Sequence, residues 1–261
     1  MALPDGKQAM SRLLSFLMTV LRLHRVEVDR EEGVVRKKRT RMGVVIVWAG
    51  NGYARLAKER VRVLTIPRWH HREAMIYEHL YQSPLQTLSN GTLVMKWMGI
   101  SVKGLLTSQE RGPLFRLDLA REVSRSLSEL HGMQFDGHAV SHADASMTNV
   151  VYDESNGKTA WIDFELVHTP ALSTEERHAD DLRAMMFTYL SFLPEPERPK
   201  AVHAMIQAYS PQPALLQAFS NQIRDPKLRR DAYHRAQVRL SDSDHQKITG
   251  LLVKEIGTFA G

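Results

Sequence analysis

From Met10 to Arg25 the apolar residues Leu13, Leu14, Phe16, Leu17, Met18, Val20, Leu21 and Leu23 are broken by Arg12, Arg22 and Arg25, with no Pro or Gly between them. That spacing predicts an N-terminal amphipathic helix over 1–25, far short of the ~18 continuous apolar residues that span a bilayer. The pattern then changes to alternation. Val26-Glu27-Val28-Asp29, the turn-like Glu31-Glu32-Gly33 and Val34-Val35 read as a β-hairpin. A helix is predicted over 69–81, with Pro67 near its start and Ser83-Pro84 ending it. Asn90-Gly91 forms a turn before the short strand Leu93-Val94-Met95, closed by Trp97 and Gly99. Leu117, Ala120, Val123, Leu127 and Leu130 lie on one face of a long helix over 114–131, stopped at Gly132. Val150-Val151-Tyr152 and Thr159-Ala160-Trp161-Ile162 are strands joined by a hairpin through Asn156-Gly157. Beyond Glu175 the chain reads as helices broken by Pro194-Glu195-Pro196, Pro211 and Pro213. A strand-rich first part followed by a helical second part is an α+β layout.

Composition narrows the chemistry. The 261 residues are 43% hydrophobic and 25% charged, enough for a core and unlike a disordered or polytopic membrane chain. At ~150 residues per domain, they make one large domain or a two-lobed one. The absence of cysteine excludes disulfides, thiolate catalysis, iron–sulfur clusters and cysteine zinc sites, and is compatible with a cytoplasmic address. Asp5 stands where a signal peptide would be basic, and no small-residue cleavage pattern follows, so secretion is not expected. The net charge of +6 and pI near 9.6 favour an anionic partner. The basic run Arg36-Lys37-Lys38-Arg39-Thr40-Arg41, followed by the apolar segment 43–48, reads as a basic strand end or as a peripheral contact with an anionic inner-membrane face. Nucleic acid is not expected, because no aromatic-interleaved basic stripe accompanies the charge.

The chemically informative stretch is Ser141-His142-Ala143-Asp144-Ala145-Ser146-Met147-Thr148-Asn149, followed after one hairpin by Trp161-Ile162-Asp163-Phe164-Glu165. An Asp and an Asn five positions apart on a loop, with another carboxylate returned by a hairpin, suit ATP-dependent phosphoryl transfer. One Asp takes the attacking hydroxyl's proton, while an amide oxygen and the second Asp hold magnesium. These residues resemble the protein-kinase-like superfamily, with its His-x-Asp-x4-Asn catalytic loop and Asp-Phe-Gly metal turn. Ala143 in place of Arg and Glu165 in place of Gly bring the resemblance closest to bacterial lipopolysaccharide kinases, RIO-like kinases and aminoglycoside-phosphotransferase-like small kinases.

The resemblance implies a two-lobed kinase-like fold, with a small antiparallel-sheet N-lobe over 26–99 and a mainly helical C-lobe over 100–261. It makes Asp144 the catalytic base, His142 the loop brace, and Asn149 and Asp163 the magnesium ligands. Lys37, on a strand face opposite Arg36 and Lys38, is the expected phosphate lysine; Lys38, Arg36 and Lys58 are the alternatives. Glu73, in Arg72-Glu73-Ala74, is its expected partner, with Glu78 second. The segment 95–99 between the lobes, with Met95 and Trp97, is expected to meet the adenine through its backbone, Trp97 and Met98 being its apolar walls. Asp181, in Arg177-His178-Ala179-Asp180-Asp181-Leu182, resembles the aspartate that braces the catalytic loop at the start of a helix. No Gly-x-Gly-x-x-Gly loop precedes the Lys37 strand, and no Ala-Pro-Glu segment follows Phe164. The expected activity is Mg-ATP-dependent phosphorylation of a hydroxyl on a sugar or lipid-linked saccharide, such as lipopolysaccharide core. A RIO-like protein Ser/Thr kinase and a non-catalytic pseudokinase binding an anionic partner or membrane are the alternatives.

Overall fold

The computed structural model describes residues 24–41, 43–45, 47–48, 51–52, 60–108, 110–135, 137–225, 228 and 240–260. Most of the expected N-terminal helix, and Lys58, lie outside the described residues. The first labelled elements are β1 (His24–Asp29), β2 (Val34–Arg39), β3 (Val61–Val63), α1 (Ile66–Tyr81), β4 (Gln86–Thr87) and β5 (Leu93–Lys96). Next come β6 (Ile100–Ser101), α2 (Val102–Thr107), α3 (Pro113–Gly132), β7 (Gln134–Phe135), β8 (His138–Ala139), β9 (Val150–Asp153), β10 (Lys158–Trp161) and β11 (Leu166–His168). The last are α4 (Thr174–Ser191), α5 (Arg198–Tyr209), α6 (Pro213–Arg224) and α7 (Asp242–Ala260). The class is α+β. No helix among the described residues is long and apolar enough to cross a membrane.

Two compact units divide the chain. The first runs to Met98 and takes in Asp163–Thr169; the second holds Gly99–Ile162 and Pro170–Gly261. Sequence continuity alone assigns 163–169 to the helical part, whereas strand pairing assigns it to the first unit: β11 pairs antiparallel with β3, setting Leu166 against Val63.

In the first unit the antiparallel sheet has the order β1-β2-β5-β4. Gly33, with φ of +66°, closes the β1–β2 turn in a conformation that glycine adopts without cost. The pairing extends to His24 opposite Arg39, so β1 takes His24 and Arg25, the last two residues that apolar periodicity assigns to a helix. Pro67 lies in the first turn of α1, where no intrahelical N–H is lost, and Gln82 ends the helix in the left-handed region at φ 47°. Trp69, Glu73, Ile76 and Tyr77 form its buried stripe. One carboxylate thus stands in an otherwise aromatic and aliphatic row.

In the second unit α3 packs on α5, α4 on α6, and α7 against α6 and α5. The β9–β10 hairpin is fastened to α3 through Ser126, whose hydroxyl accepts from the Thr159 hydroxyl at 2.8 Å and from Trp161 Nε1 at 3.0 Å. α4 starts at Thr174, not beside Asp181. Ser173 and Glu176 form a capping box there, which fixes the helix start and places Asp181 inside a buried run.

Gly99 and Gly104 behave oppositely. At Gly99, φ is +135° and an added Cβ would meet the Tyr152 carbonyl oxygen at 2.2 Å; at Gly104, within α2, nothing lies within 4 Å. Gly99→Ala is therefore expected to cost more than about 2 kcal/mol, whereas Gly104→Ala gains up to about 1 kcal/mol from helix propensity. Urea denaturation of the two variants checks the contrast.

Candidate functional site

Strand alternation is the starting point in the first unit. Lys37 and Arg39 both point to the buried side of β2, each 6% exposed, while Lys38 between them is exposed. Lys38 is therefore not brought to the site. Arg36, also on the opposite face, is tied to Asp29 and Glu32 of the hairpin. Lys37 Nζ donates to Asp163 Oδ1 across a separation of 126 residues. The ammonium also lies 4.8 Å from the Trp69 ring centroid, so a cation–π contact completes its surroundings.

Around this pair the charges are dense and dry. Glu73 is fully buried, and neither carboxylate oxygen has a hydrogen-bond partner at normal geometry among the described residues. Burial pushes its carboxyl up to about 7, with the Lys37 charge acting against the rise. Burial, then Asp163, pushes Glu165 up to about 7 against the pull of Lys37 and Arg39. Burial and the Lys37 charge hold His24 down at about 3, hence neutral. Burial disfavours the Lys37 ammonium too, but Asp163, Glu73 and Glu165 together outweigh it and raise its affinity for the proton. Asp163 itself has φ of +71°, an uncommon backbone for a residue with a Cβ, and is followed by the fully buried Phe164, edge-on to Tyr77 at 6.4 Å.

In the second unit, the loop after β8 is held from below by one carboxylate. Asp181 Oδ2 accepts the His142 main-chain N–H at 2.6 Å and Oδ1 accepts that of Ala143 at 2.7 Å. His131 Nε2 lies 3.0 Å from the same Oδ2, and its Nδ1 lies 2.5 Å from the Tyr209 hydroxyl. Ala143 is thereby fixed at φ +67°, immediately before Asp144. The buried His142 ring accepts the Asp144 N–H at Nδ1, 3.2 Å away, and donates from Nε2 to the Ile162 carbonyl at 3.0 Å. Those two bonds select one neutral tautomer and give His142 a bracing role. The Asn149 side-chain amide donates to the Asp144 carbonyl at 2.9 Å, and the Asn149 carbonyl accepts the Ile162 N–H at 2.9 Å. Ile162, the residue before Asp163 in the chain, is thus held at both main-chain groups, its carbonyl by His142 and its N–H by Asn149.

The structure brings Lys37, Glu73 and Asp163 together in the first unit, and His142, Asp144 and Asn149 together in the second. Glu78, the second choice on α1, is exposed and not in the cluster. Met95 is buried and accepts a contact from the Tyr77 hydroxyl at its sulfur, 3.5 Å away, which makes its side chain a core residue. Trp97 is half-buried, its N–H donating to the Gly33 carbonyl at 2.8 Å and its ring lying 5.8 Å from the Arg30 guanidinium. Sequence reasoning missed Arg39, Glu165's partner, although the alternation that selects Lys37 selects Arg39 two residues later. It also missed His131, a polar residue on the buried stripe of α3 one turn after Leu127.

The donor chemistry fits magnesium. In the first unit Asp163 has a carboxylate whose side chain is 30% exposed, and in the second Asn149 has an amide oxygen; each by itself is a hard oxygen donor of the kind magnesium accepts. No group of three His, Asp or Glu side chains able to hold a metal by themselves occurs among the described residues.

The chain is similar in fold to an ethanolamine kinase from Plasmodium vivax, at 9% identity over 93% of this chain and 86% of that one, with a TM-score of 0.43. It is similar also to the ADP-bound aminoglycoside phosphotransferase APH(2'')-Ib, at 11% identity over 96% of this chain and 99% of that one, with a TM-score of 0.42. No family model and no curated protein matches the chain. At these similarities the functional reading rests on the site residues.

The buried carboxyl at Glu73 has a measurable signature. Its folded pKa, about 7, exceeds the ordinary value of 4.5, so the folded state binds more protons between pH 4.5 and 7 and loses stability as pH rises through that window. Glu73→Gln removes this loss. Relative to wild type, the variant is expected to gain on the order of 3 kcal/mol between pH 4.5 and pH 8, read by denaturant titration at each pH.

Proposed function

We propose that this chain is a magnesium-dependent phosphotransferase that moves the γ-phosphoryl group of ATP to an alcohol, the acceptor being a sugar or lipid-linked saccharide such as a lipopolysaccharide core. The observation that carries the reading is the contact of the buried Lys37 with the partly exposed Asp163 carboxylate beside the buried Glu73, a gathering of charge that folding alone does not need. The reaction requires this group of residues and the Asp144–Asn149 loop to act on one nucleotide. Lys37 neutralises the α- and β-phosphates, Glu73 steadies it, and Asp163 with Asn149 holds the metal. Bound magnesium supplies charge neutralisation at the β- and γ-phosphate oxygens. The acceptor oxygen forms its bond to the γ-phosphorus as the bond from that phosphorus to the bridging oxygen breaks. ADP leaves, and the hydroxyl proton passes to the Asp144 carboxylate.

A small acceptor is favoured over a protein by chain length. Only residues 169–173 separate β11 from α4, which leaves no peptide-positioning segment. Peripheral contact with an anionic membrane belongs to the same reading. The exposed Val44, Val45 and Trp48 follow the exposed Arg41 in helical residues after β2. Flotation with anionic liposomes at low salt is expected to show binding, and its absence removes the membrane part of the reading.

A second reading, a non-catalytic pseudokinase, is favoured by one observation. The β1–β2 turn, where a phosphate loop would sit, carries Asp29, Glu31 and Glu32 and a single glycine, Gly33. Thermal shift and ATP consumption with Mg-ATP, with and without envelope saccharide, separate the two. The wild type is expected to bind and turn over. Asp144→Ala is expected to bind yet lose about 10³-fold in turnover, and Asp163→Ala to lose metal-dependent binding. Neither shift nor turnover in the wild type would leave the pseudokinase.

A further inference from the structure

Arg39 closes a ring around the turn that carries Asp163. Its side chain is 2% exposed and shares the buried face of β2 with Lys37. Nη1 donates to the Leu64 carbonyl at 2.7 Å and Nη2 to Glu165 Oε2 at 3.0 Å. The Leu64 N–H in turn donates to the Glu165 carbonyl at 2.7 Å. Leu64 therefore grips Arg39 with one main-chain group and Glu165 with the other. Arg39 Nε donates to His24 Nε2 at 3.2 Å, and the guanidinium carbon lies 4.9 Å from the Trp69 ring centroid. Each of the three nitrogens of the planar fork has a fixed target, an arrangement that a lysine's single ammonium does not reproduce.

The ring lies two residues downstream of a strained backbone. Asp163 holds φ of +71°, and such a conformation persists only where the surroundings over-determine it. Phe164 packs edge-on to Tyr77, Glu165 is anchored by side chain and main chain, and Leu166 then pairs with Val63. Among these supports Arg39 is the one that also neutralises a nearly buried carboxylate, since the Glu165 side chain is 13% exposed. Truncating either partner leaves the other charge uncompensated.

We infer that Arg39 is a positioning residue: by holding Glu165 it sets the 163–165 turn and so presents the Asp163 carboxylate. The catalytic consequence rests on the phosphotransfer reading above, in which Asp163 holds the metal. The structural consequence does not. A carboxylate at 165 is chemically able to bind a cation itself, but here it is committed to the guanidinium.

The test measures hydrogen exchange at the 163–166 amides of the ligand-free protein, and the magnesium dependence of ADP binding by calorimetry. Wild type, Arg39→Lys, Glu165→Gln and the double variant are compared. Arg39→Lys, which keeps the charge, is expected to speed exchange at 163–166 about tenfold while the amides of α3 keep their protection. It is also expected to raise the magnesium needed for half-saturation about tenfold, the size typical when a residue behind a metal ligand is lost, with metal-free ADP affinity unchanged. Glu165→Gln should do the same, and the double variant should be no worse than the more damaging single one, as for two ends of one contact. Unchanged exchange in both single variants overturns the inference. So does additive damage in the double variant, or a magnesium effect confined to Glu165→Gln, which would make Glu165 a ligand. A wild type that binds no ADP defeats the phosphotransfer reading alone, because the exchange measurement still decides the role of Arg39.

Discussion

An ammonium taken out of water has to meet an anion, and the first unit is organised around that requirement. Lys37 is buried on a strand whose own neighbours offer no carboxylate on the same face, so the compensating charge comes from far along the chain, at Asp163. Bringing it there needs β11 to pair with β3, needs a left-handed residue at 163, and needs Phe164 to fill space beside Tyr77. Three carboxylates and two cations are gathered there, and burial sets which of them hold protons: Glu73 and Glu165 both rise to about 7, and His24 stays neutral. A buried cluster of this composition is a poor source of stability and a good device for placing charge, which is why it points to chemistry rather than to folding.

The second unit meets a different constraint by a related means. A loop that must present Asp144 and Asn149 cannot rely on a strand ladder, so its main-chain N–H groups need another acceptor. Asp181 provides it from inside α4, taking two consecutive N–H groups, with His131 beside the same carboxylate. Ala143 can hold its left-handed backbone because its own N–H is one of the two. His142, lying between two main-chain partners, is saturated at both ring nitrogens and has none left for proton transfer. His142 and Ala143 are thus both held by structural bonds immediately before Asp144.

How much of this was legible in the sequence depends on range. Elements with strong periodicity or turn chemistry were readable: the long helix from Pro113 with Gly132 at its end, and the hairpin through Asn156-Gly157. Alternation separated Lys37 from Lys38, but which of the two faces is buried is decided by packing and not by the pattern. What was not readable was every feature that pairing decides. Residues 163–169 join the first unit because β11 finds β3, and His24 and Arg25 are strand because β2 is long enough to pair with them. Helix from Glu175 onward lies one residue from the observed start of α4, whereas Asp181, expected at a helix start, lies within α4 because the Ser173–Glu176 capping box sets the start eight residues earlier. Glu165 was read as a substitution at a glycine position; its meaning appears only with Arg39.

Glutamate at 165, where the motif that the sequence resembles has glycine, is accommodated by the contacts around it. Glycine in a metal-binding turn contributes backbone freedom, and a residue with a side chain there loses it. Here the left-handed conformation falls at Asp163 instead, while residue 165 has already entered the partnership with β3 through the Leu64 N–H. Freedom at 165 is then unnecessary. A side chain able to reach a buried guanidinium adds an anchor where a glycine would have left the turn to its main chain, and the cost is one more carboxylate in an already crowded cluster. Arg39 offsets that cost directly, so the two departures, a second buried cation on β2 and a carboxylate in the turn, stand or fall together.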